Sequence, residues 1–152
     1  MPHLKQDMDV ISEAQLFRET IEKTNQWLRE LSERLVWDDP RRVYGVLRTT
    51  LHLLRDRLPV NEAVDLAQEF PLMIKGLYFE NWKPSRTPNR DLDRRGFSQA
   101  IRSAYPDVDD PELVFFAAVA VIRKHLSLGE AKDVGSNLPE SLRLLWDRAA
   151  HV

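Results

Sequence analysis

The chain of 152 residues is 43% hydrophobic and 30% charged, carries a formal net charge of −2 and contains no cysteine. Such a length and composition predict one soluble globular domain and exclude a disordered chain, while the nearly neutral charge argues against wholesale binding of a polyanion. Without cysteine the chain has no disulfide, no thiolate nucleophile and no cysteine-ligated metal, which fits a reducing cytoplasm.

The N-terminal segment, residues 1–11, is predicted to be frayed or disordered, and its acidic residues leave no apolar core for an export signal. Ser12 and Gln15 then form a capping box that starts a long helix. In this helix apolar side chains recur at spacings of three and four, which predicts one stripe facing the core. The residues of the stripe are Leu16, Phe17, Ile21, Thr24, Leu28, Leu31 and Leu35.

A second helix is predicted over about Pro40–Leu58, with Asp39 as its N-cap. The third helix follows a tight corner. It cannot continue through Pro71, because proline has no N–H and its ring would meet the carbonyl of Ala67. We therefore expect a break just before Pro71 and a short new helix that ends near Phe79.

The segment from Glu80 to Asp91 contains two prolines and no apolar periodicity, so it is predicted to be the loop that connects two halves. Asp93 and Asp110 are the predicted N-caps of the next two helices. The second of these helices holds the longest apolar run, Leu113–Ile122, which is too short to cross a membrane and therefore predicts the most central helix. A further break is expected at Pro139, and no stretch has the alternation of a strand.

The sequence contains an internal repeat. Moving the chain by 68 positions lays Leu54–Tyr78 over Ile122–Trp146, and seven of the 25 aligned pairs are then identical. Ordinary composition would give roughly one or two identities in such a window. The identical pairs are Arg55/Arg123, Leu58/Leu126, Glu62/Glu130, Ala63/Ala131, Asp65/Asp133, Pro71/Pro139 and Leu77/Leu145.

The predicted fold class is all-α, a compact helical bundle of two pseudo-repeated three-helix units, with the third helix of each broken at Pro71 or Pro139. A corner of two helices cannot bury its apolar face alone, whereas two copies packed together can. The expected single helical domain covers residues 12–152, with a first half at 12–82, a connecting loop at 83–91 and a second half at 92–148.

Two segments carry a family resemblance: LRTTLHLLRDRLPVNEAVDLAQEFPLMIKGLYFENWKP (Leu47–Pro84) and RKHLSLGEAKDVGSNLPESLRLLW (Arg123–Trp146). They resemble the two halves of a bacterial family catalogued as domain of unknown function 2267, and the resemblance extends over about Thr24–Asp147. The chain departs from the family at Glu69-Phe70-Pro71, where the family usually shows Gln-Leu-Pro. The resemblance implies a small, soluble, all-helical bacterial protein with an internal duplication, and it implies no activity, substrate or catalytic residue.

Four acidic residues that recur in the repeat are candidates for a metal site of the kind found in di-metal helical bundles. The histidines that such sites add at Glu-x-x-His spacing are absent from the sequence. We therefore favour structural roles, in which the acids lie in first helical turns and pair with two recurring arginines. The acids are Glu62, Asp65, Glu130 and Asp133, and the arginines are Arg55 and Arg123.

Few other residues are candidates for chemistry. His52 and His125 lie in no catalytic-triad or metal-ligand spacing, and we expect each to be solvated or locally hydrogen-bonded. The acidic corner Asp107–Glu112 lacks the glycine and the final glutamate of a calcium loop. The sequence therefore predicts no catalytic residue, no metal site and no cofactor.

An aromatic and basic segment follows the first copy of the repeat. Tyr78, Phe79 and Trp82 precede several bases, and Glu80–Ala104 holds six bases against three acids. Tyr78 matches Trp146 in the repeat, so we assign it to the core. The other residues either form a binding surface or only pin the loop to the bundle while the arginines stay solvated. The candidate binding residues are Phe79, Trp82, Lys83, Arg86, Arg90 and Arg94.

Three functions are compatible with this sequence. The leading hypothesis is a non-enzymatic interaction module that uses the loop between the repeats to bind a protein partner or a second copy of itself. The first alternative is a nucleic-acid-associated protein that uses the basic segment Lys83–Arg102. The second alternative is a small-ligand binder or enzyme with a pocket between the two halves. No membrane partner is expected.

Overall fold

The computed structural model describes the backbone of residues 2–152 and the side chains of residues 15–152. Every long regular element in this range is an α-helix, and no strand occurs within it, so the predicted all-α class is confirmed. The helices are α1 (Pro2–Leu35), α2 (Pro40–Arg57), α3 (Val60–Ala67), α4 (Leu72–Phe79), α5 (Arg94–Ala104), α6 (Pro111–Lys124), α7 (Leu128–Ser136) and α8 (Glu140–Arg148).

Three helices begin at the aspartates predicted to cap them. The carboxylates of Asp39, Asp93 and Asp110 accept backbone N–H groups two or three residues further on, at 3.1, 2.8 and 3.0 Å. Each cap satisfies a donor that the first turn of a helix cannot pair internally. The starts of α2, α5 and α6 are therefore fixed by local sequence, and the predicted caps are confirmed.

The two expected breaks separate α3 from α4 and α7 from α8. Pro71 and Pro139 are extended, with ψ angles of 154° and 155°, and each is the residue just before the new helix. Each proline carbonyl accepts the N–H four residues further on at 2.9 Å. The prolines thus start the second helix of each pair, because a residue without an N–H loses nothing at a helix start.

The central element is α6, as its apolar run predicts. It packs against α1, α2, α5 and α8, and α3 packs against α7, so the contacts join elements from both halves of the chain. A helix that is apolar on nearly all sides is stable only when other helices surround it. The buried residues of α6 are Val114, Phe115, Ala117, Ala118, Val119, Ala120, Val121 and Ile122.

The first helix differs from its prediction at its start. α1 begins at Pro2, so the predicted start at Ser12 is wrong. No proline or glycine lies between Pro2 and Ser12 to interrupt a helix, and the capping residue therefore lies inside it. The fraying expected of residues 1–11 stays a prediction, because Met1 and the side chains up to Ala14 lie outside the described part of the chain.

The apolar stripe of α1 reaches the core only in the second half of the helix. Leu31 of the stripe is 0% exposed and Trp27 beside it is 2% exposed, whereas the three apolar residues of the stripe nearest the N-terminus are 47–72% exposed. Thr20 marks the change, since its hydroxyl accepts the N–H of Met73 at the start of α4. The prediction that the whole stripe faces the core is therefore wrong, because α1 extends past the helices that cover it. The exposed residues are Leu16, Phe17 and Ile21.

Two large aromatic residues tie the short helices together. Tyr78 is fully buried, as predicted, and its hydroxyl donates to the carbonyl of Ala63 at 2.7 Å. Trp146 is also buried, and its indole N–H donates to the carbonyl of Ala131 at 2.8 Å. Buried polar groups need such partners, and these two bonds link α4 to α3 and α8 to α7.

A glycine sets the closest approach of α2 to the residue that ends α5. A Cβ atom at Gly45 would collide with the hydroxyl of Tyr105. Tyr105 is half-buried and packs against the core in this position. Position 45 must therefore carry no side chain while this tyrosine occupies the space.

No helix in the described part of the chain combines the length and the hydrophobicity needed to cross a bilayer.

Candidate functional site

The connection between α4 and α5, residues 80–93, holds most of the predicted binding residues. We call it the connecting loop. It begins with Asn81 in the left-handed region, with φ of 59°, a conformation that asparagine adopts more readily than most residues. The loop contains one 3-10 turn at Pro84–Arg86, and the N–H of Asn89 donates to the carbonyl of Asp56 at the end of α2 at 2.7 Å. The bundle therefore holds the loop at both its start and its middle.

The two predicted aromatic residues, Phe79 at the end of α4 and Trp82 in the loop, lie against the bundle. Phe79 and Trp82 are half-buried and pack on the core, with 5.4 Å between their ring centroids. Tyr78 contacts Phe79 in turn, at 5.0 Å between centroids. The indole Nε1 of Trp82 is buried and has no hydrogen-bond partner. These contacts favour the anchoring role for both rings, since a half-buried ring offers little face for stacking.

The bases of the loop are exposed and unpaired. Lys83, Arg86 and Arg90, which we call the cation cluster, lie within eight residues and are all exposed. None of them forms an ion pair with any carboxylate whose side chain is described. Arg94 is different, because it is half-buried and bound to Glu112. Among the described side chains, three of the four predicted basic residues are therefore without an ion pair.

Arg57 is a further base near the cation cluster, and the sequence analysis did not predict it as a site residue. The Nε of Arg57 at the end of α2 is buried and has no hydrogen-bond partner within the part of the chain that the structure describes. Burial lowers the pKa of Arg57, and the nearby charge of Arg90 lowers it further. Two like charges close together raise the local positive potential, which favours the approach of an anion.

Arg55 forms the inner wall of the site. It is 4% exposed, and its Nε donates to Asp56 at 2.8 Å. Its Nη1 donates to the carbonyls of Tyr78 and Glu80, both at 2.8 Å. These bonds close the end of α4 against α2, so Arg55 satisfies carbonyls at the end of α4 and does not pair with the recurring acids.

An open pocket of about 450 Å³ lies between Arg55 and the connecting loop. Three cationic side chains and one carboxylate line it, together with two amides and a hydroxyl. The lining residues are Arg55, Asp56, Asn81, Lys83, Arg86, Thr87 and Asn89. We call it the loop pocket. No sequence signal identifies it, because its walls come from α2 and from a loop without periodicity.

The recurring acids meet across the α3–α7 contact. Glu62 and Glu130 each have a carboxylate oxygen that is buried and without a hydrogen-bond donor. Burial is the first cause that raises the pKa of both carboxyls, and for Glu130 burial together with the neighbouring Glu62 carboxyl raises the pKa to about 8. Glu69, Asp65 and Asp133 face the pair and also disfavour ionisation. If one of the two carboxyls keeps its proton, it can donate to the other carboxylate, and we infer that the pair shares one proton in this way.

The expected ion pairs of these acids do not form. Arg55 pairs with Asp56, and Arg123 pairs with Asp147 at 3.7 Å and donates to the carbonyl of Trp146. Only Glu62 and Glu130 lie in first helical turns, whereas Asp65 and Asp133 are exposed and lie further along their helices. The prediction fails because the arginine side chains turn toward the helix ends that follow. No grouping of acids and histidines suited to a metal occurs among the described residues.

The two internal histidines have different partners. His52 Nε2 lies 2.7 Å from the carbonyl of Leu77. His125 Nε2 lies 2.7 Å from Glu30, and its ring stacks on Trp27 with 4.7 Å between centroids. Leu77 and Glu30 are both far away in the sequence from the histidines they contact, so the prediction of solvation or local bonding is wrong for His52 and for His125. A pocket of about 260 Å³ opens beside this histidine, between α1, the α3–α4 corner and the end of α6.

A protein-family model matches residues 24–145 of the chain, and the family is described as "Uncharacterized conserved protein (DUF2267)". A search of curated proteins gives no match.

Proposed function

The chain belongs to the family of uncharacterized conserved proteins DUF2267, whose description assigns no activity, and we propose that it is a non-enzymatic interaction module. In this proposal the connecting loop binds an acidic surface of a protein partner. The observation that carries it is the cation cluster of Lys83, Arg86 and Arg90, three exposed bases without an ion pair in the described structure. Unpaired charges of one sign on a fixed surface steer an oppositely charged partner and set its orientation.

The anchoring of the loop supports this function. Phe79 and Trp82 pack on the core, and Asn89 is bonded to the end of α2. A loop that is already ordered loses less conformational entropy when it binds, so more of the interaction energy appears as affinity. Two of the neighbouring bases are already paired, since Arg48 binds Glu80 and Arg94 binds Glu112.

Nucleic-acid association is the second candidate, and the same cation cluster favours it. The basic segment Lys83–Arg102 offers fewer free charges than its sequence implies. Arg94 is paired, and Arg102 donates to the carbonyls of Val108 and Asp109. The half-buried rings also provide no open platform for bases, which single-strand binding usually requires. An acidic protein surface therefore fits the geometry better.

The experiment is affinity capture from a lysate of the source organism with the wild type and two charge-reversed triple variants. One carries Lys83→Glu, Arg86→Glu and Arg90→Glu. The matched control carries Arg18→Glu, Arg29→Glu and Arg41→Glu, which reverse three exposed arginines on α1 and α2. We expect a protein partner that the wild type and the control retain, that the loop variant loses, and that salt elutes.

Two outcomes would contradict the proposal. If every captured protein is retained equally by the loop variant, the cation cluster is not the binding surface. If nuclease treatment releases all captured protein, nucleic acid is the partner and the second candidate replaces the first. In that case binding to defined DNA or RNA should weaken steeply with salt, with a slope set by the few phosphate contacts.

An internal duplication is a further part of the proposal. Equivalent hydrogen bonds recur at the 68-residue offset of the sequence repeat and support it. Arg55 and Arg123 each donate from Nη1 to the carbonyl 23 residues further on. The bonded pairs are Arg55–Tyr78 with Arg123–Trp146, and Tyr78–Ala63 with Trp146–Ala131.

We place the module in the bacterial cytoplasm. The absence of cysteine suits a reducing compartment. A homodimer is another form that the interaction could take, and light scattering after size exclusion would identify it by a doubled mass.

A further inference from the structure

Arg55 lines the loop pocket and has one guanidinium nitrogen without a hydrogen-bond partner among the described residues. Its Nε and Nη1 are occupied by Asp56 and by the carbonyls of Tyr78 and Glu80. Its Nη2 has no hydrogen-bond partner among the described residues and is not closed off from solvent, and Arg55 lines the pocket. A guanidinium that is 4% exposed and fixed by three bonds is a preorganised donor, because it needs no reordering when a ligand arrives.

The charges around this nitrogen define the ligand that fits. Arg55, Lys83 and Arg86 carry three positive charges, and Asp56 carries one negative charge, which leaves a net charge of two in the pocket lining. A phosphate monoester carries about −1.5 to −2 at neutral pH and so balances this charge, whereas a single carboxylate leaves half of it uncompensated. The amides of Asn81 and Asn89 are further donors for phosphate oxygens.

The size of the pocket also restricts the ligand. Its volume of about 450 Å³ lies within the range of small-molecule sites, roughly 300–1,000 Å³, and is far larger than one phosphate ion needs. We propose that the loop pocket binds the phosphate group of a small phosphorylated molecule, with the Arg55 Nη2, Lys83 and Arg86 as its ligands. This inference rests on the proposed function in one respect, since both use Lys83 and Arg86 of the connecting loop.

The test is a titration of the wild type with inorganic phosphate, followed by NMR at constant ionic strength set with sodium chloride. We expect saturable shifts of the backbone amides of Asn81 and Asn89 and of the Nε–H of Arg55. Acetate titrated in parallel should give no saturable shift at the same sites. The variants Lys83→Ala and Arg86→Ala should each weaken phosphate binding by about tenfold, the usual effect of losing one charge-assisted hydrogen bond.

Arg41→Ala is the matched control. Arg41 is exposed at the opposite end of α2 from Arg55, and its removal changes the net charge by the same amount. Phosphate binding should be unchanged in this variant. Lys83 and Arg86 are also exposed, so their truncation leaves the core intact and a loss of binding is not a loss of fold.

Either of two results would overturn the inference: no saturable shift with phosphate, or an equal loss of binding in Arg41→Ala and Arg86→Ala. Failure here is distinguishable from failure of the proposed function. Capture of a protein partner without phosphate binding removes the pocket site and leaves the interaction surface. Phosphate binding without any partner that depends on the cation cluster removes the interaction module and leaves the pocket site.

Discussion

Glu62 and Glu130 form an unusual contact, because two half-buried carboxyls lie together and no base among the described side chains pairs with either of them. Their pKa values are raised above the ordinary value of 4.5, first by burial, and that of Glu130 reaches about 8. A raised pKa means that the folded protein keeps a proton that the unfolded chain releases. Between about pH 4.5 and pH 8 the folded state therefore binds more protons, and stability falls as pH rises.

Glu130→Gln tests this linkage. The glutamine amide can donate its N–H to Glu62 at any pH and does not need to bind a proton first. The variant should therefore lose most of the decline in stability between pH 5 and pH 8. For the wild type the decline is at most about 1.4 kcal/mol per pH unit for one shared proton. At pH 8 we expect the variant to be more stable than the wild type by about 1–2 kcal/mol, measured by urea unfolding.

Glu140→Gln is the control for this measurement. Glu140 also lies in the first turn of its helix but is exposed, so its replacement removes an equivalent charge without a shared proton. Its pH profile should follow that of the wild type. A wild-type stability that rises from pH 5 to pH 8, or a decline that Glu130→Gln leaves intact, would contradict the shared proton.

At this scale the sequence predicts what a residue does to its immediate neighbours along the chain. The caps at Asp39, Asp93 and Asp110 are predictable because a cap acts on N–H groups two or three positions away. The Glu62–Glu130 contact is not, because it depends on how α3 and α7 meet. A charge pattern along the sequence is the same whether two acids face each other or face the solvent.

At the scale of elements, α1 offers the clearest test. Ile21 is 47% exposed and Leu31 is fully buried, although both belong to one apolar stripe in the sequence. Leu31→Ala should lower the free energy of unfolding by about 2–5 kcal/mol, because it leaves a cavity. Ile21→Ala should change it by less than about 0.5 kcal/mol. Urea unfolding of both variants measures the difference.

The opposite result would have a specific meaning. If Ile21→Ala costs as much as Leu31→Ala, the exposed part of α1 is covered in solution by another chain. The loss would then depend on protein concentration, because association adds to the stability of a folded oligomer. A small loss of stability in Ile21→Ala that does not depend on protein concentration would agree with the exposure of Leu16, Phe17 and Ile21 in the structure.

Element boundaries follow from the sequence only where a residue forbids continuation. The breaks at Pro71 and Pro139 are predictable from the missing N–H and the ring. The start of α1 is not, since Ser12 permits a helix start without requiring one. The exposure of Leu16, Phe17 and Ile21 on α1 cannot be predicted from the sequence either. Periodicity identifies an apolar face, but it does not show how far the helices that cover this face extend.

At the scale of the whole molecule, α6 joins the two halves. It packs against α1 and α2 as well as α5 and α8, and one hydrophobic cluster runs from Trp27 to Ala149. We expect the halves to unfold together. Two single-tryptophan variants report this, one keeping Trp27 and the other keeping Trp146, because each is buried in a different half.

The two fluorescence signals should change over the same range of urea concentration, as in a two-state transition. Adding Leu66→Ala, in the first half, should shift both signals by the same amount, and Val134→Ala in the second half should do likewise. Two separate midpoints, or a shift confined to the mutated half, would show that the halves are independent units.

The sequence predicts the fold of this molecule better than its candidate site. Helix type and central helix follow from composition and periodicity, which are properties of segments. The loop pocket combines Arg55 of α2 with Lys83 and Asn89 of a loop that has no pattern. Its existence depends on where the chain turns after α4, and the sequence marks that turn only as irregular. The sequence identifies the basic residues, but which of them are paired depends on partners such as Glu112, whose position the sequence does not show.

The contact between Gly45 and Tyr105 has a consequence for the history of the family. Any side chain at position 45 would occupy the space of the Tyr105 hydroxyl. A relative that acquires a larger residue at the first position must lose the hydroxyl or the whole ring at the second, or else move α5 away from α2. The two positions, sixty residues apart, are therefore expected to change as a pair during evolution wherever α2 and α5 keep their present distance.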